Sequence, residues 1–373
     1  MSKRILFSAT IYQNGHSGLS TFLSNLIKNL QEIDKVNQYD IYAPSSDHQA
    51  LGLPSRNFRF VSVPEQNKNA TKDILWHSLA IKKLAKNYDL CFVPTLRRLP
   101  SKLQIPVLCA VHDLGPFRMP QKYGYLRYFY QKFVTKHLAK NVTHFAAVSH
   151  STKSDLIKYL KVSSNKIKTI YHGIDQDLFK KTEAEKTRAL ISKELKINSS
   201  NYILFVSRIE HPNKNHRRLI EAFELLSKKY HYKGDLLFAG KNWNGEEHVL
   251  KRIEESPLKN RIKHLGFVEQ KHLPLLYSDC DLVVIPSIIE GFGFPLLEAL
   301  ACQTRTVCSN TTSLGELAQD YIPTFDPLSV PNMAETINQG LTYDYPQSRI
   351  SDYLKTFSWK QCALEYKRLI EEI

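Results

Sequence analysis

The chain has 373 residues, 42% hydrophobic and 23% charged, which excludes a disordered, collagen-like or coiled-coil protein and predicts two domains rather than one. No apolar run approaches the ~18 residues of a membrane-spanning helix, the opening Met1-Ser2-Lys3-Arg4 does not read as a signal peptide, and six cysteines without a CxxC pair fit reduced, buried thiols better than a disulfide framework or zinc site. The net charge of +15 sits in one half: residues 1–180 hold 26 Lys and Arg against 11 Asp and Glu, residues 181–373 hold 25 of each, so the basic half either meets an anionic partner or serves solubility.

The first half alternates apolar strand-length runs with helical patterns. Strands are predicted at 4–9, 39–43, 58–63, 89–93, 106–111, 144–148 and 168–171. The stretch 20–32 places Phe22, Leu23, Leu26, Ile27 and Leu30 at helical spacing. Residues 74–85 and 125–139 also read as helices, and the hydroxyl-rich run 151–155 predicts another helix start. Polarity rises over 176–201, which reads as a linker. The rhythm then restarts, with strands predicted at 202–206, 236–239, 262–265, 282–285, 306–308 and 323–325. Helices are predicted at 217–229, 246–254, 273–278, 295–302, 313–318 and 331–339. Two βα-repeating halves predict two parallel sheets covered by helices, with ligands at the carboxyl ends of the strands.

Four segments carry candidate chemistry. The strongest runs from Pro286 to Leu300: a buried strand, a loop holding Glu290, Gly291, Phe292 and Gly293, then Phe294 and a helix with Pro295 expected at its first position. Amides at a helix start suit an anion, and carboxylates such as Glu290 and Glu298 accept hydrogen bonds from sugar hydroxyls. Taken alone, Glu298 equally complements the helix dipole of a first turn. The second segment places Arg208 at a strand end and Lys214 six residues on. Two cations there suit a diphosphate leaving group, or are simply solvated. The third, Asn14-Gly15-His16-Ser17-Gly18-Leu19-Ser20, lets backbone approach a ligand or makes a tight turn. The fourth puts His112 directly after an apolar strand, as an active-site or a satisfied buried histidine.

These four segments, in this order, resemble the retaining glycosyltransferases of the GT-B fold, family 4. The likeness covers most of the chain and includes Val148-Ser149-His150-Ser151, Tyr171-His172-Gly173-Ile174-Asp175 and Gly266-Phe267-Val268. The resemblance implies an α/β protein of two Rossmann-like β/α/β domains facing across a cleft. Residues 1–175 would bind the acceptor, 176–357 would bind the nucleotide-sugar donor, and 358–373 would pack back on the first domain. Glu298 would hold the ribose hydroxyls, and Glu290 with the amides of Gly291 to Phe294 the donor sugar. Arg208 and Lys214 would hold the diphosphate, with the Gly15–Gly18 loop closing over it. His112 would serve the reacting sugar, and Gly266, Phe267 and Val268 would border the base. Gln303 and Arg305 depart from the family's glycine and proline, and Gln303 implies a strained or different helix ending.

The expected reaction is transfer, with retained configuration, of a hexose such as mannose from a UDP-, GDP- or dTDP-linked donor. A glycan or lipid-linked acceptor supplies the hydroxyl, in lipopolysaccharide, capsule or other surface-polysaccharide synthesis. No Asp-x-Asp motif is suitably placed, so no metal and no cofactor are expected. The interleaved Tyr123, Tyr125, Tyr128, Phe129, Tyr130, Phe133 and Lys122, Arg127, Lys132, Lys136, Lys140, joined by Lys82, Lys83, Lys86, Arg97 and Arg98, suit an anionic membrane surface or core packing. The expected location is cytoplasmic, peripheral at the inner face of the membrane. A nucleotide-sugar epimerase or hydrolase on the same scaffold is the near rival. A nucleic-acid binder is the distant one; it leaves Glu290 and Glu298 unexplained, so no nucleic-acid partner is expected.

Overall fold

The apolar runs of the first half form strands β1 (Arg4–Ser8), β2 (Gln38–Pro44), β3 (Phe58–Val63), β4 (Leu90–Val93), β5 (Val107–Val111), β6 (His144–Ala147) and β7 (Ile167–Thr169) in the computed structural model. It describes residues 2–15, 17–122, 128–129, 131–199 and 201–373. The seven strands make one parallel sheet in the order β3-β2-β1-β4-β5-β6-β7. Every residue of β4 and β5 is buried, which is why these strands read as unbroken apolar runs. The principal helices here are α1 (Gly18–Ile33), α2 (Ala70–Leu84) and α3 (His150–Asp155). α1 buries Phe22, Leu23, Leu26, Ile27 and Leu30, as its spacing predicts, and Ser17 caps it by accepting from the Ser20 amide. The cap of α3 is Ser149, which accepts from the Thr152 amide, two residues before the predicted run. Of the helix predicted over 125–139, Tyr125, Leu126, Arg127 and Tyr130 lie outside the described residues, as do Tyr123 and His16. Gln131–Thr135 forms a π-helical turn and Lys136–Ala139 an α-helical one.

The second half repeats the pattern with strands β8 (Tyr202–Val206), β9 (Asp235–Ala239), β10 (Ile262–His264), β11 (Leu282–Ile285), β12 (Thr306–Ser309) and β13 (Thr324–Phe325). They form a parallel sheet ordered β10-β9-β8-β11-β12-β13. Its helices are α4 (Ala184–Leu195), α5 (His216–Tyr230), α6 (Glu246–Glu254), α7 (Leu273–Asp279), α8 (Phe294–Ala301), α9 (Thr312–Ala318), α10 (Val330–Thr342) and α11 (Gln347–Leu354). The polar stretch 176–201 is not a linker. It contains α4, which packs on α7 and is anchored by buried Phe179, Thr187, Ile191 and Ile197. Arg188 adds an ion pair to Asp279 at 3.1 Å. So few apolar anchors leave the segment polar in composition although it is folded.

By contacts the chain divides into Met1–Gly173 with Phe357–Ile373, and Ile174–Thr356. The last helix, α12 (Trp359–Glu372), therefore belongs with the first sheet, where it packs on α1. It buries Trp359, Cys362, Ala363, Tyr366, Leu369 and Ile370, each such side chain being worth roughly 1.5–3 kcal/mol for the larger apolar ones. The crossing is tight: a Cβ on Gly173 would lie 2.1 Å from the Trp359 amide nitrogen, so only glycine fits there. All six cysteines are buried thiols.

Candidate active site

In both sheets the chain winds outward from the middle in two directions. The reversal falls between β1 and β4 in the first and between β8 and β11 in the second. Crevices at such switch points, outside the carboxyl ends of the strands, are where open α/β sheets take ligands. β8 leads into Arg208 and Lys214, and β11 leads into Glu290. The Lys214 ammonium donates to Glu290 Oε1 at 2.5 Å, with both side chains mostly buried. Two asparagines tie the loops together. The Ile288 amide donates to the Asn213 carbonyl (2.9 Å) and the Ile289 amide to Asn213 Oδ1 (3.1 Å). Asn213 Nδ2 donates to the Ile289 carbonyl (3.1 Å), and Asn215 Nδ2 to those of Pro286 (3.0 Å) and Pro327 (2.7 Å).

Arg208 lies two residues past the end of β8. It pairs with Glu210 at 3.2 Å, and its guanidinium sits 4.7 Å from the centre of the half-exposed Trp243 ring. Its backbone is met closely by Gly240, where a Cβ would be 2.0 Å from the Ser207 carbonyl oxygen. The helix after Glu290 starts at Phe294, with Gly293 (φ +114°) as its cap, so Pro295 is its second residue and Glu298 stands in its second turn. Dipole complementarity at a first turn therefore does not account for Glu298. The Tyr277 hydroxyl donates to Glu298 Oε2 at 2.9 Å. Burial pushes the Glu298 carboxyl up to about 7, against the lowering effect of that hydrogen bond. Phe292 is buried with its ring 5.2 Å from Phe294. Gly266 has φ +69°, Val268 is buried, and Phe267 is half-exposed with Lys241 Nζ 4.4 Å above its ring.

In the first sheet Gly15 (φ +82°) ends a 3-10 turn after β1, and Gly18 opens α1. His112 follows β5 directly. Its Nδ1 lies 3.3 Å from His172 Nε2, the rings stack at 5.2 Å, and Phe22 meets His112 edge-on at 4.8 Å. The His172 ring stacks in turn on Trp359 at 5.7 Å. Burial pulls the His112 pKa down to about 4, opposed by Asp113 and the Pro94 carbonyl. Burial and then His112 pull His172 well below its ordinary value. Both imidazoles are thus neutral at ordinary pH. Nearby, Ser8 Oγ meets His77 Nε2 at 2.8 Å, and His77 and Arg98 both pair with Asp73. The order is that of a nucleophile, base and carboxylate, but all four residues are at most 5% exposed, so no substrate reaches them.

Of the residues singled out from sequence, the fold brings Lys214 to Glu290 directly. Arg208 engages Glu210 and Trp243 instead, and Glu298 engages Tyr277. Sequence reading missed Tyr277, Trp243 and the His172 contact; of these, only His172 lay in a motif already noticed. A hollow of about 660 Å³, lined by Asn198, Tyr232, Lys263 and Asp281 among others, lies at the opposite, amino-terminal end of the second sheet. Its Lys263 already pairs with Asp235 at 2.6 Å, and it is remote from the strand ends that carry Arg208 and Glu290. Among the described residues no cluster of His, Cys, Asp or Glu is arranged to hold a metal ion, and no helix is long and apolar enough to cross a membrane.

Two family models match this chain: Glycosyltransferase Family 4 over residues 16–178 and Glycosyl transferases group 1 over residues 187–356. The chain belongs to these glycosyltransferases. This glycosyltransferase is 29% identical to O-antigen chain mannosyltransferase B of Escherichia coli over 273 residues, 72% of this chain and 70% of that one. It is 28% identical to the serotype-specific mannosyltransferase WbdA of Escherichia coli over 69% of its own length, but spans only 32% of that longer protein. Its fold matches the GT-B protein Alr3699/HepE of Anabaena, solved with UDP and glucose, at a TM-score of 0.74 and 19% identity, covering 100% of both chains.

Proposed function

We propose that this glycosyltransferase moves a hexose from a nucleoside-diphosphate sugar to a hydroxyl of a glycan or lipid-linked acceptor, with retained configuration. The observation that carries the reading is the Lys214–Glu290 pair at the carboxyl-end switch point of the second sheet. The mannosyltransferase relatives make mannose the first donor sugar to test and O-antigen synthesis the first pathway class. UDP-, GDP- and dTDP-linked forms are the candidates.

Lys214 and Arg208 take the diphosphate and Glu298 the ribose hydroxyls. Glu290, with the Gly291–Phe294 segment, takes the donor sugar. Gly266–Val268 border the base. The bond from the anomeric carbon to the β-phosphate oxygen breaks as the acceptor oxygen bonds to that carbon on the same face. The acceptor's proton passes to the departing phosphate oxygen, so atoms and charge balance with neither metal nor cofactor. The two cations stabilise the charge that develops on the diphosphate.

The test begins with melting temperature against UDP, GDP, dTDP and a short single-stranded RNA. One nucleoside diphosphate should raise it and RNA should not; a shift with RNA alone overturns the reading. With a donor in hand, Arg208→Ala and Lys214→Ala should each lower acceptor-dependent turnover by ~10²-fold or more. Near-native turnover in both removes the diphosphate assignment. Acceptor-dependent release of nucleoside diphosphate separates transfer from epimerisation.

The basic half also presents a docking face. Along α2, Leu75 (54% exposed) and Leu79 (70%) share a stripe with exposed Lys82, and exposed Lys86 lies in the 3-10 turn that follows the helix. Phe129 and Phe133 are half-exposed, with Lys132 over the Phe133 ring at 5.8 Å. These features support peripheral binding to an anionic bilayer at the cytoplasmic face. Binding to phosphatidylserine vesicles should fall steeply between 0.05 and ~0.5 M salt, as exposed charges are screened. Salt-independent sedimentation, or none, refutes it.

A further inference from the structure

Seven described residues other than glycine have a positive φ: Lys161, Lys196, Asn215, His231, Gln303, Thr312 and Gln319. Five of them stand at or just past the carboxyl end of a helix, and Lys161, Lys196 and His231 have the left-handed conformation that is ordinary there. The two others open helices, and each sits on one side of the Lys214–Glu290 pair. Asn215 (φ +63°) caps α5 immediately after Lys214, and asparagine tolerates this conformation well. Thr312 (φ +52°) opens α9, and a β-branched side chain tolerates it badly.

What Thr312 does with that conformation is specific. Its Oγ1 accepts from the Glu290 amide at 3.1 Å. Its neighbours complete a clasp: Thr311 Oγ1 donates to the Ile288 carbonyl and Ser313 Oγ to the Glu290 carbonyl, both at 3.0 Å. Three consecutive hydroxyls thus hold the backbone on either side of the carboxylate that meets Lys214. Strain of this kind persists only where surrounding contacts enforce it, and it concentrates at sites where geometry matters.

We propose that Thr312 is a positioning residue for sugar transfer: its strained backbone presents a hydroxyl to the Glu290 amide and fixes the Glu290 carboxylate for the donor sugar. The proposal rests on the assignment of Glu290 above. A displacement of about 1 Å at a reacting centre can cost about a hundredfold in rate, which is the leverage such a clasp exerts.

Three variants test it. Thr312→Gly removes the hydroxyl and relieves the backbone, Thr312→Val removes the hydroxyl alone, and Thr312→Ser keeps it. Thr312→Gly should melt at or above the parent temperature and bind the nucleoside diphosphate within about twofold of parent, yet lose about tenfold or more in kcat. Thr312→Val should lose kcat similarly, and Thr312→Ser should retain kcat within about threefold. Parental kcat in Thr312→Gly overturns the proposal. So does a loss of kcat in Thr312→Gly that merely follows a lowered melting temperature, which marks a structural role. Glu290→Gln is the control: if it turns over normally, the site assignment itself has failed. If Glu290→Gln is inactive and Thr312→Gly is normal, only the role of Thr312 has failed.

Discussion

Glu298 holds its proton to a higher pH than an exposed glutamate, because burial raises it to about 7. An ionised carboxylate is the better acceptor for two ribose hydroxyls, so nucleotide binding and deprotonation are linked. Affinity for the cognate nucleoside diphosphate should rise about tenfold from pH 6 to pH 8 and then level off. Calorimetry on parent and Glu298→Gln separates this from titration of the phosphate, which both proteins share. Equal pH slopes in the two would remove Glu298 from the ribose. The pair Glu290 and Glu298 was legible in the sequence because spacing and glycines reveal a strand-loop-helix. Tyr277, the partner of Glu298, was not, because it comes from a different helix and looks like any core tyrosine. Thr312 was also invisible: its contacts with the 288–290 loop are made across more than twenty residues of chain, and nothing in its own neighbours marks a positive φ.

At the scale of elements, α8 ends in a Schellman motif. The Gln303 amide donates to the Leu300 carbonyl (2.9 Å) and the Thr304 amide to the Ala299 carbonyl (3.0 Å), with Gln303 left-handed at φ +55°. The missing glycine predicts a strained or a different ending, and the strained one is found. Gln303→Gly should therefore stabilise the second unit by about 0.5–1 kcal/mol, a rise in melting temperature of about 1–4 °C, with turnover unchanged. A lowered melting temperature would show that the Gln303 side chain matters more than its backbone. Strands were the most legible elements, since buried parallel strands are apolar on both faces. α4 was lost in the linker reading because two or three buried residues suffice to seat it. α11 escaped prediction for the same reason, with only Ile350 and Leu354 buried.

At the scale of the molecule, buried histidines set the response to acid. His112 and His216 are depressed to about 4 and about 3, chiefly by burial, and His172 lies well below its ordinary value. As pH falls through about 6.5 the unfolded chain takes up protons that these folded sites refuse, so stability present at neutral pH is lost. Each such histidine contributes a limiting slope of about 1.4 kcal/mol per pH unit down to its folded value. Glu298 works the other way: with a raised folded pKa it favours the folded state as pH drops from about 7 towards 4.5. His211 is lowered as well, while Asp155 and Asp279 are raised and side with Glu298; the fully buried histidines, which titrate in the unfolded chain across this whole interval, leave a net loss. The urea midpoint should be lower at pH 5 than at pH 7, and a midpoint that rises on acidification would contradict the burial of these imidazoles.

The crossing of Gly173 under Trp359 also sets a schedule. The first sheet and α1 leave the ribosome early, but α12 is made only after residues 174–356. At about 5–20 residues per second that interval lasts roughly ten to forty seconds. Throughout it the face of α1 around Phe22 has His112 and His172 beside it but lacks the cover of α12, whose Tyr366 meets Phe22 at 5.7 Å in the finished protein. This face is a place where a chaperone would serve the nascent protein. The second unit is translated as one unbroken stretch, and it can fold while the first still waits for its last helix.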